Sequence, residues 1–398
     1  MSVNLFRMTL YQLCPGRSRP LLAASALFGL LTTPLPATGQ ETRIELYTVG
    51  PGDYLFSKFG HAALCVSDAD WPGGLCFNYG TADFSTPGPL TWAVVRGRAV
   101  FWVSVAPLQE MLVLYRAEDR TIYRQALPLT ENQAADLKRA LATSALPENR
   151  YYLYDHFQDN CSTRPRDHID DATGGALRKR AERGGRTFRE LVGESLQDDP
   201  IFFFLAELIL GRSMDRMRSE YEAMFLPQFL RHGVERHLRV TPEVVYARRA
   251  AVPAMPSPLV AQRLALALGF GLAIGLITLT STPRIYFGVR RLFGFLFGSL
   301  GSLLVTLAAI SPLAELRYNE LLLVFLPTDL FLLLAGHRWH RALSVYLTLR
   351  VAGLLLVGAL RWSGVLLQPL WPYWGLTLFV LGAVRARAVA PSPSPALE

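Results

Sequence analysis

The apolar residues of this 398-residue chain are gathered into one half. From Leu264 to Val384 the sequence is a series of apolar runs broken by short basic loops, whereas Glu41 to about Pro258 is charged and mixed. A helix needs about 20 apolar residues to cross the hydrocarbon core of a bilayer. The second half is therefore read as membrane helices, and the first half as a separate domain with its own core. Five spans are predicted, roughly Leu264–Leu279, Leu292–Ile310, Leu321–Ala335, Leu343–Leu360 and Val365–Val384. The first and third are short, so flanking residues must complete them.

The N-terminus carries Arg17 and Arg19, an apolar stretch from Leu21 to Leu31, and the small-residue segment Pro36-Ala37-Thr38-Gly39. That layout predicts a secretory signal over residues 1–39, with a retained N-terminal anchor as the alternative. Either way, residue 40 onward is exported. The loop charges give the same topology. With the first domain outside, inner segments carry Arg284, Arg290, Arg291, Arg338, Arg341, Arg385 and Arg387, and outer loops only Arg317 and Arg361. This satisfies the positive-inside rule and puts the C-terminus in the cytoplasm. Residues 388–398, rich in Pro, Ser and Ala, are expected to be a disordered tail.

Two ionisable residues fall inside spans, Asp329 in the third and Arg350 in the fourth. Counted from the predicted inner ends they lie at similar depth. Charges in a bilayer pair or face a cavity, so an Asp329–Arg350 ion pair is predicted. Pro327, Pro369 and Pro372 predict broken helices towards the outer side, tolerable where backbone lines a protein cavity.

The exported half reads as α+β, strands first and helices after. Arg43–Val49, His61–Val66, Leu75–Tyr79 and Ala99–Val105 are predicted strands, and Trp71-Pro72-Gly73-Gly74 a turn. Helices are predicted from Thr130, as N-cap, to Leu146, from about Cys161 to Ala172, and over Thr187–Val192, Ile201–Leu210 and Ser213–Leu226. With the signal removed, the chain keeps Cys65, Cys76 and Cys161. An odd count in an oxidising compartment points to one disulfide and one free thiol; Cys65 and Cys76 lie on neighbouring strands and are the candidate pair.

Two segments carry possible chemistry. Lys58-Phe59-Gly60-His61 puts a histidine at the start of an apolar strand. Asp159-Asn160-Cys161-Ser162-Thr163-Arg164-Pro165-Arg166 puts a cysteine at a helix start. The positive end of a helix dipole, with Arg164 and Arg166 nearby, is expected to favour the thiolate. A histidine on an adjacent strand would serve as proton acceptor and later as acid, and the Cys161 N–H as an oxyanion donor. Against this stands a plain structural reading, with a buried small cysteine and a hydrogen-bonded histidine. A zinc site from His61, Cys65, Cys76 and Cys161 matches none of the usual ligand spacings, so no metal or other cofactor is expected.

At these residues the sequence resembles the bacterial Lnb-type family, defined by an Lnb N-terminal periplasmic domain. The matching elements are Phe59-Gly60-His61, Asn78-Tyr79-Gly80 with Asp83-Phe84, Asn149-Arg150 with Tyr152 and Tyr154-Asp155, and Asp159-Asn160-Cys161-Ser162-Thr163-Arg164. Thr187-Phe188-Arg189, Gly211 with Asp215, Met224-Phe225-Leu226-Pro227 and, in the tail, Asn319-Glu320-Leu321-Leu322 also fit. The resemblance implies a permuted papain-like (NlpC-like) thiol enzyme over 40–258, in which the histidine precedes the cysteine, followed by an all-α region of about five transmembrane helices over 259–387. It implies Cys161 as nucleophile and His61 as base, with Asn78 or Asp83 orienting the histidine. It also implies apolipoprotein N-acyl transfer at the inner membrane, with a membrane phospholipid as acyl donor and a lipoprotein N-terminus as acceptor.

The rival enzyme is a hydrolase of the envelope, either a cell-wall peptidase or amidase, or a lipase. The non-enzymatic rival is an envelope assembly protein. Nucleic acid is excluded as a partner, because the basic excess lies in membrane-flanking loops and in Arg178–Arg189, and export removes the opportunity. That basic stretch is a candidate for anionic headgroups or a solvated face.

Overall fold

The computed structural model describes residues 41–182, 184–251, 269–270, 272, 282–334 and 339–389. The expected signal, most of the first expected span, and the tail beyond residue 389 lie outside the described residues.

The first half is a mixed α+β unit built on seven strands. In chain order they are β1 (Arg43–Val49), β2 (His61–Ser67), β3 (Leu75–Thr81), β4 (Val100–Pro107), β5 (Ile122–Ala126), β6 (Tyr151–Leu153) and, after the two-residue strands β7 (Arg186–Thr187) and β8 (Met217–Arg218), β9 (Glu243–Tyr246). The sheet order is β6-β4-β3-β2-β1-β5-β9, and each neighbouring pair is antiparallel. Its helices are α1 (Pro87–Val95), α2 (Leu108–Ala117), α3 (Glu131–Ser144), α4 (Thr163–Ala172), α5 (Ala176–Arg180), α6 (Phe188–Ser195), α7 (Pro200–Ile209), α8 (Glu220–Ala223) and α9 (Pro227–Leu238).

The strands alternate side chains between two covered faces. Ile44, Leu46, Leu64, Val66, Phe77 and Tyr79 pack with Leu137 and Leu141 of α3, Ile169 of α4, and Leu230 and Val234 of α9. On the other face Tyr47, Ala63, Cys65, Cys76 and Ile122 pack against Met111 and Leu112 of α2. Covering both faces explains why β1 and β2 are almost wholly buried. Cys65 and Cys76 face each other across the β2–β3 register and form a disulfide, and Cys161 is free. Helix starts follow local chemistry. Thr130 with Gln133, and Thr187 with Glu190, form reciprocal capping boxes that satisfy otherwise orphaned N–H groups.

One expected helix is absent. Ser213–Leu226 is instead a short 3-10 turn (Arg212–Asp215), strand β8 and the one-turn helix α8. The cause is Arg189, which is buried. It bonds Asp215 through both carboxylate oxygens at 2.7 and 3.0 Å, and the carbonyls of Leu210 and Gly211 at 2.7 and 3.1 Å. Those bonds hold the chain around a charge and prevent a helical course.

The second half contains α10 (Pro283–Ile310), α11 (His340–Trp362) and α12 (Trp371–Val389). Among the described residues, α10 and α11 are long and apolar enough to cross a membrane, by length and composition. The expected third span is not a continuous helix. Residues 314–334 form a four-residue helix, two 3-10 turns (Glu320–Leu323 and Pro327–Leu330) and another four-residue helix. Pro327 begins the second turn, as a residue that cannot donate to a helix ladder. Val365–Leu370 is also non-helical, so the last helix begins later than expected.

The broken segment is held from inside. Arg350 on α11 donates to both oxygens of Asp329 at 2.8 and 2.9 Å and to the Val324 carbonyl at 2.8 Å, while Tyr346 O–H donates to Asp329 at 2.6 Å. The expected ion pair is present, and it ties irregular backbone to a regular helix.

The two halves meet in a polar seam. Gly211 N–H donates to the Glu315 carbonyl at 2.6 Å and Arg212 N–H to the Tyr318 carbonyl at 2.8 Å. Asn319 Nδ2 donates to the Leu208 carbonyl at 2.8 Å, and Gln368 Nε2 to the Leu210 carbonyl at 2.9 Å. Glu320 accepts from the N–H groups of Leu367 and Gln368 at 2.9 and 2.8 Å. A Cβ on Gly211 would lie 2.7 Å from the Tyr318 oxygen, so only glycine permits this approach.

Candidate active site

Cys161 sits in a loop whose neighbours are spent on holding it. The Asp155 carboxylate accepts from the N–H groups of Phe157 and Gln158 at 2.8 and 3.0 Å, closing a turn. Arg164 reaches back to Asp159 with two bonds of 2.5 and 2.9 Å, and its guanidinium lies 3.7 Å over the Tyr152 ring. Asn160 Oδ1 accepts from Ser162 and Thr163 N–H at 2.7 and 2.9 Å, capping the start of α4. Its Nδ2 donates to the His156 and Phe225 carbonyls at 2.6 and 3.0 Å. Ser162 O–H donates to the Met224 carbonyl at 2.8 Å.

The loop rests on the sheet at Gly80. Gly80 has φ +82°, and a Cβ there would come within 3.0 Å of the Cys161 Cβ. The Ala62 N–H, next to His61, and the N–H of Cys161 itself both pull the thiol pKa down. The thiol therefore lies beside the residue after His61, and against the glycine two residues after Asn78.

His61 opens β2. Its Nε2 is 3.1 Å from Asn78 Oδ1, while Asn78 Nδ2 donates to the Cys76 carbonyl at 3.3 Å. The second bond fixes which end of the amide faces the ring. An amide oxygen accepts, so Nε2 carries the ring proton and Nδ1 is left as the acceptor. Of the two candidates for orienting His61, Asn78 is in contact and Asp83 is not. Asp83 is exposed in the turn after β3 and accepts from Ser85 N–H and O–H at 3.0 and 2.5 Å. Its position at the end of a turn favours that local capping bond over a reach back to the sheet.

The electrostatics differ from the expectation of a stabilised thiolate. Burial pushes the Cys161 thiol up to about 11, outweighing the Ala62 N–H, Arg120 and its own N–H, which all pull it down. Arg164 and Arg166 do not act on it, because Arg164 is committed to Asp159 and Arg166 to Asp167 and the Tyr221 ring. Asn160 takes the first N–H groups of α4. His61 is pulled down to about 4, chiefly by burial; the Asn78 bond opposes this and Arg120 adds to it. Both groups therefore rest neutral, as a thiol and an imidazole.

Arg120 went unnoticed in the sequence. It is buried, donates Nε to the Gly50 carbonyl at 2.9 Å, and lies over the Tyr115 ring, which is itself 5.8 Å from the His61 ring. One of its terminal nitrogens, Nη2, is buried without a hydrogen-bond partner. In the sequence it stands in Glu118-Asp119-Arg120-Thr121, which reads as a surface turn, and no local signal marks it.

The surroundings are aromatic. Phe101 stacks on Tyr154 at 4.1 Å, and Phe157, Phe188 and Phe225 form a cluster with ring centroids 4.8–5.1 Å apart. Phe56, ahead of His61, meets Phe84, after Gly80, at 5.2 Å, and both are exposed. The zinc arrangement is ruled out by bonding, since the disulfide removes Cys65 and Cys76 as thiolate ligands.

Residues 37–193 match the family model of the Lnb N-terminal periplasmic domain, a stretch that includes His61, Asn78 and Cys161. No curated protein and no solved structure matches the chain. The chain thus carries an Lnb N-terminal periplasmic domain over these residues, ahead of apolar helices.

Proposed function

We propose that this protein is a membrane-bound thiol acyltransferase that moves a phospholipid acyl chain through a Cys161 thioester to the N-terminus of lipoproteins. The domain would be a permuted papain-like unit in the periplasm. The helices would be multi-pass in the inner membrane, with the C-terminus in the cytoplasm. Arginines support this orientation. Arg284, Arg290, Arg291, Arg341, Arg385 and Arg387 lie towards the end of the helices remote from the domain.

The observation that carries the reading is the His61 Nε2–Asn78 Oδ1 bond, which leaves Nδ1 as acceptor on the residue before Ala62, whose N–H acts on a thiol seated at Gly80. In the first half-reaction the thiol proton passes to His61 Nδ1 and the sulphur attacks the ester carbonyl. The Cys161 N–H is placed to donate to the resulting oxyanion. The C–O bond breaks, and His61 returns the proton to the leaving glycerol oxygen. In the second, the lipoprotein α-amine attacks the thioester, His61 takes the amine proton, and the C–S bond breaks to restore the thiol.

A lipid substrate is supported by α7, an apolar helix (Pro-Ile-Phe-Phe-Phe-Leu-Ala) beside the last membrane helix. Ile201, Phe202, Phe204 and Leu205 are exposed, and the Phe204 ring is 6.1 Å from Tyr373 of α12. Such a surface suits the outer leaflet better than water. The test uses a phospholipid labelled in its acyl chain and the whole protein in detergent. Trapped thioester is expected in the native protein and lost in Cys161→Ala. Lipoprotein N-termini in cells lacking the protein should lose one acyl chain by mass spectrometry. Unchanged N-termini, together with a trapped thioester, would move the assignment to a hydrolase.

A further inference from the structure

Most arginines of the exported domain are paired with carboxylates or carbonyls. Even the basic stretch from Arg178 is committed: Arg178 to Asp170 and Tyr221, Arg180 to the His237 carbonyl, Arg186 to Glu194, and Arg189 to Asp215. It offers little free charge to a headgroup. Three arginines elsewhere are different. Arg96 and Arg98 flank Gly97 after α1, and Arg317 follows the outer end of α10. All three line one open cavity of about 400 Å³ with Ile310 and Pro312.

Three things mark this cavity. Among the described residues, its lining includes no carboxylate, and none of the three guanidinium groups has an ion-pair or hydrogen-bond partner. Arg96 Nε is buried and unsatisfied, although burying such a group without a partner is costly. Lastly, its walls are apolar membrane helix on one side and domain on the other. A Cβ on Gly97 would meet Pro312 at 2.6 Å, so the domain turn is pressed against the end of α10.

Planar guanidinium groups recognise phosphate oxygens through paired hydrogen bonds. We propose that Arg96, Arg98 and Arg317 form a binding site for the phosphate of a phospholipid headgroup, at the level where α10 leaves the membrane. Its acyl chains would lie along α10 and the exposed apolar residues of α1, which include Trp92. The site rests on α10 crossing a membrane and not on the acyl-transfer chemistry.

The test uses the full-length protein in detergent, delipidated and titrated with dioleoylphosphatidylglycerol, with bound lipid counted by native mass spectrometry. Arg96→Ala and Arg317→Ala are each expected to weaken binding about tenfold, the loss typical of one charged hydrogen bond. Arg98→Ala, at an exposed position, gives a variant whose folding is not in question, and it should weaken binding in the same direction. Cys161→Ala should bind like the native protein, so failure of the thioester chemistry leaves this result intact. Dioleoylglycerol, which lacks the phosphate, should not bind. Equal binding of dioleoylglycerol, or undiminished phosphatidylglycerol binding in all three arginine variants, would overturn the proposal. Displacement of the lipid by millimolar inorganic phosphate would reassign the cavity to a free anion and also overturn it.

Discussion

At the scale of single residues, the candidate pair is neutral because burial outweighs its positive neighbours. With the Cys161 thiol held up to about 11, alkylation by iodoacetamide should be slow at pH 7 and rise about tenfold per pH unit towards pH 10. A plateau already reached at pH 7 would mean that Arg120 and the local N–H groups prevail. Asn78→Ala should slow thioester formation by about tenfold or more, since base catalysis depends on the ring's tautomer and aim, while Asp83→Ala should leave it unchanged. Equal losses in the two variants would sink the role given to Asn78. Stability has its own pH window. His61 and His156 are both pulled down to about 4 by burial, so the folded chain holds them neutral while the unfolded chain protonates them below about 6.5. The unfolded state then binds more protons, and stability falls as pH drops from about 6.5 through 4. His156 Nε2 is buried without a partner among Phe59, Phe157 and Phe225, so His156→Phe should flatten that fall in denaturation midpoints.

At the scale of elements, the sequence announced those with local causes. Thr130 and Thr187 marked helix starts through their capping partners, and Trp71-Pro72-Gly73-Gly74 marked the turn that brings Cys76 opposite Cys65. Histidine at a strand start and cysteine before a helix were legible as separate facts. The seating of Cys161 at Gly80, two residues after the Asn78 that bonds His61, was not, because it depends on the long-range packing of the loop on β3. Long-range commitments were hidden too: Arg189 to Asp215 cancelled a helix, and Arg120 reached the site from a turn. Gly80→Ala tests the loop seat directly. A Cβ there combines φ +82° with contact on Cys161, so it should cost about 1–2 kcal/mol of stability and, by moving the thiol, far more in thioester formation. Stability loss without loss of thioester would show that the loop seats elsewhere.

At the scale of the whole molecule, hydropathy expected a regular third span where the described backbone is broken. An apolar run does not reveal whether its backbone bonds are made within a helix or, as at residues 314–334, to neighbouring segments. Asp329 and Arg350 carry that irregular stretch. Arg350→Leu alone leaves a buried carboxylate without its counter-ion and should lower folding yield severely, by about 3–5 kcal/mol, whereas Asp329→Leu with Arg350→Leu should recover part of it. A double variant no better than the single one would argue against a pair.

The seam formed by Asn319, Glu320 and Gln368 has a consequence for how this domain is isolated. Release of the first half by cutting after residue 251 would strip the Leu208 carbonyl of its Asn319 donor, leave the Leu210 carbonyl with Arg189 but without Gln368, strip the Gly211 and Arg212 N–H groups of their acceptors, and uncover Leu208 of α7. The freed piece would be stickier and less stable than the same residues in the intact chain. Solubility screens of such a fragment would select for substitutions on α7 and at residues 208–212, changing the surface that packs against the second half.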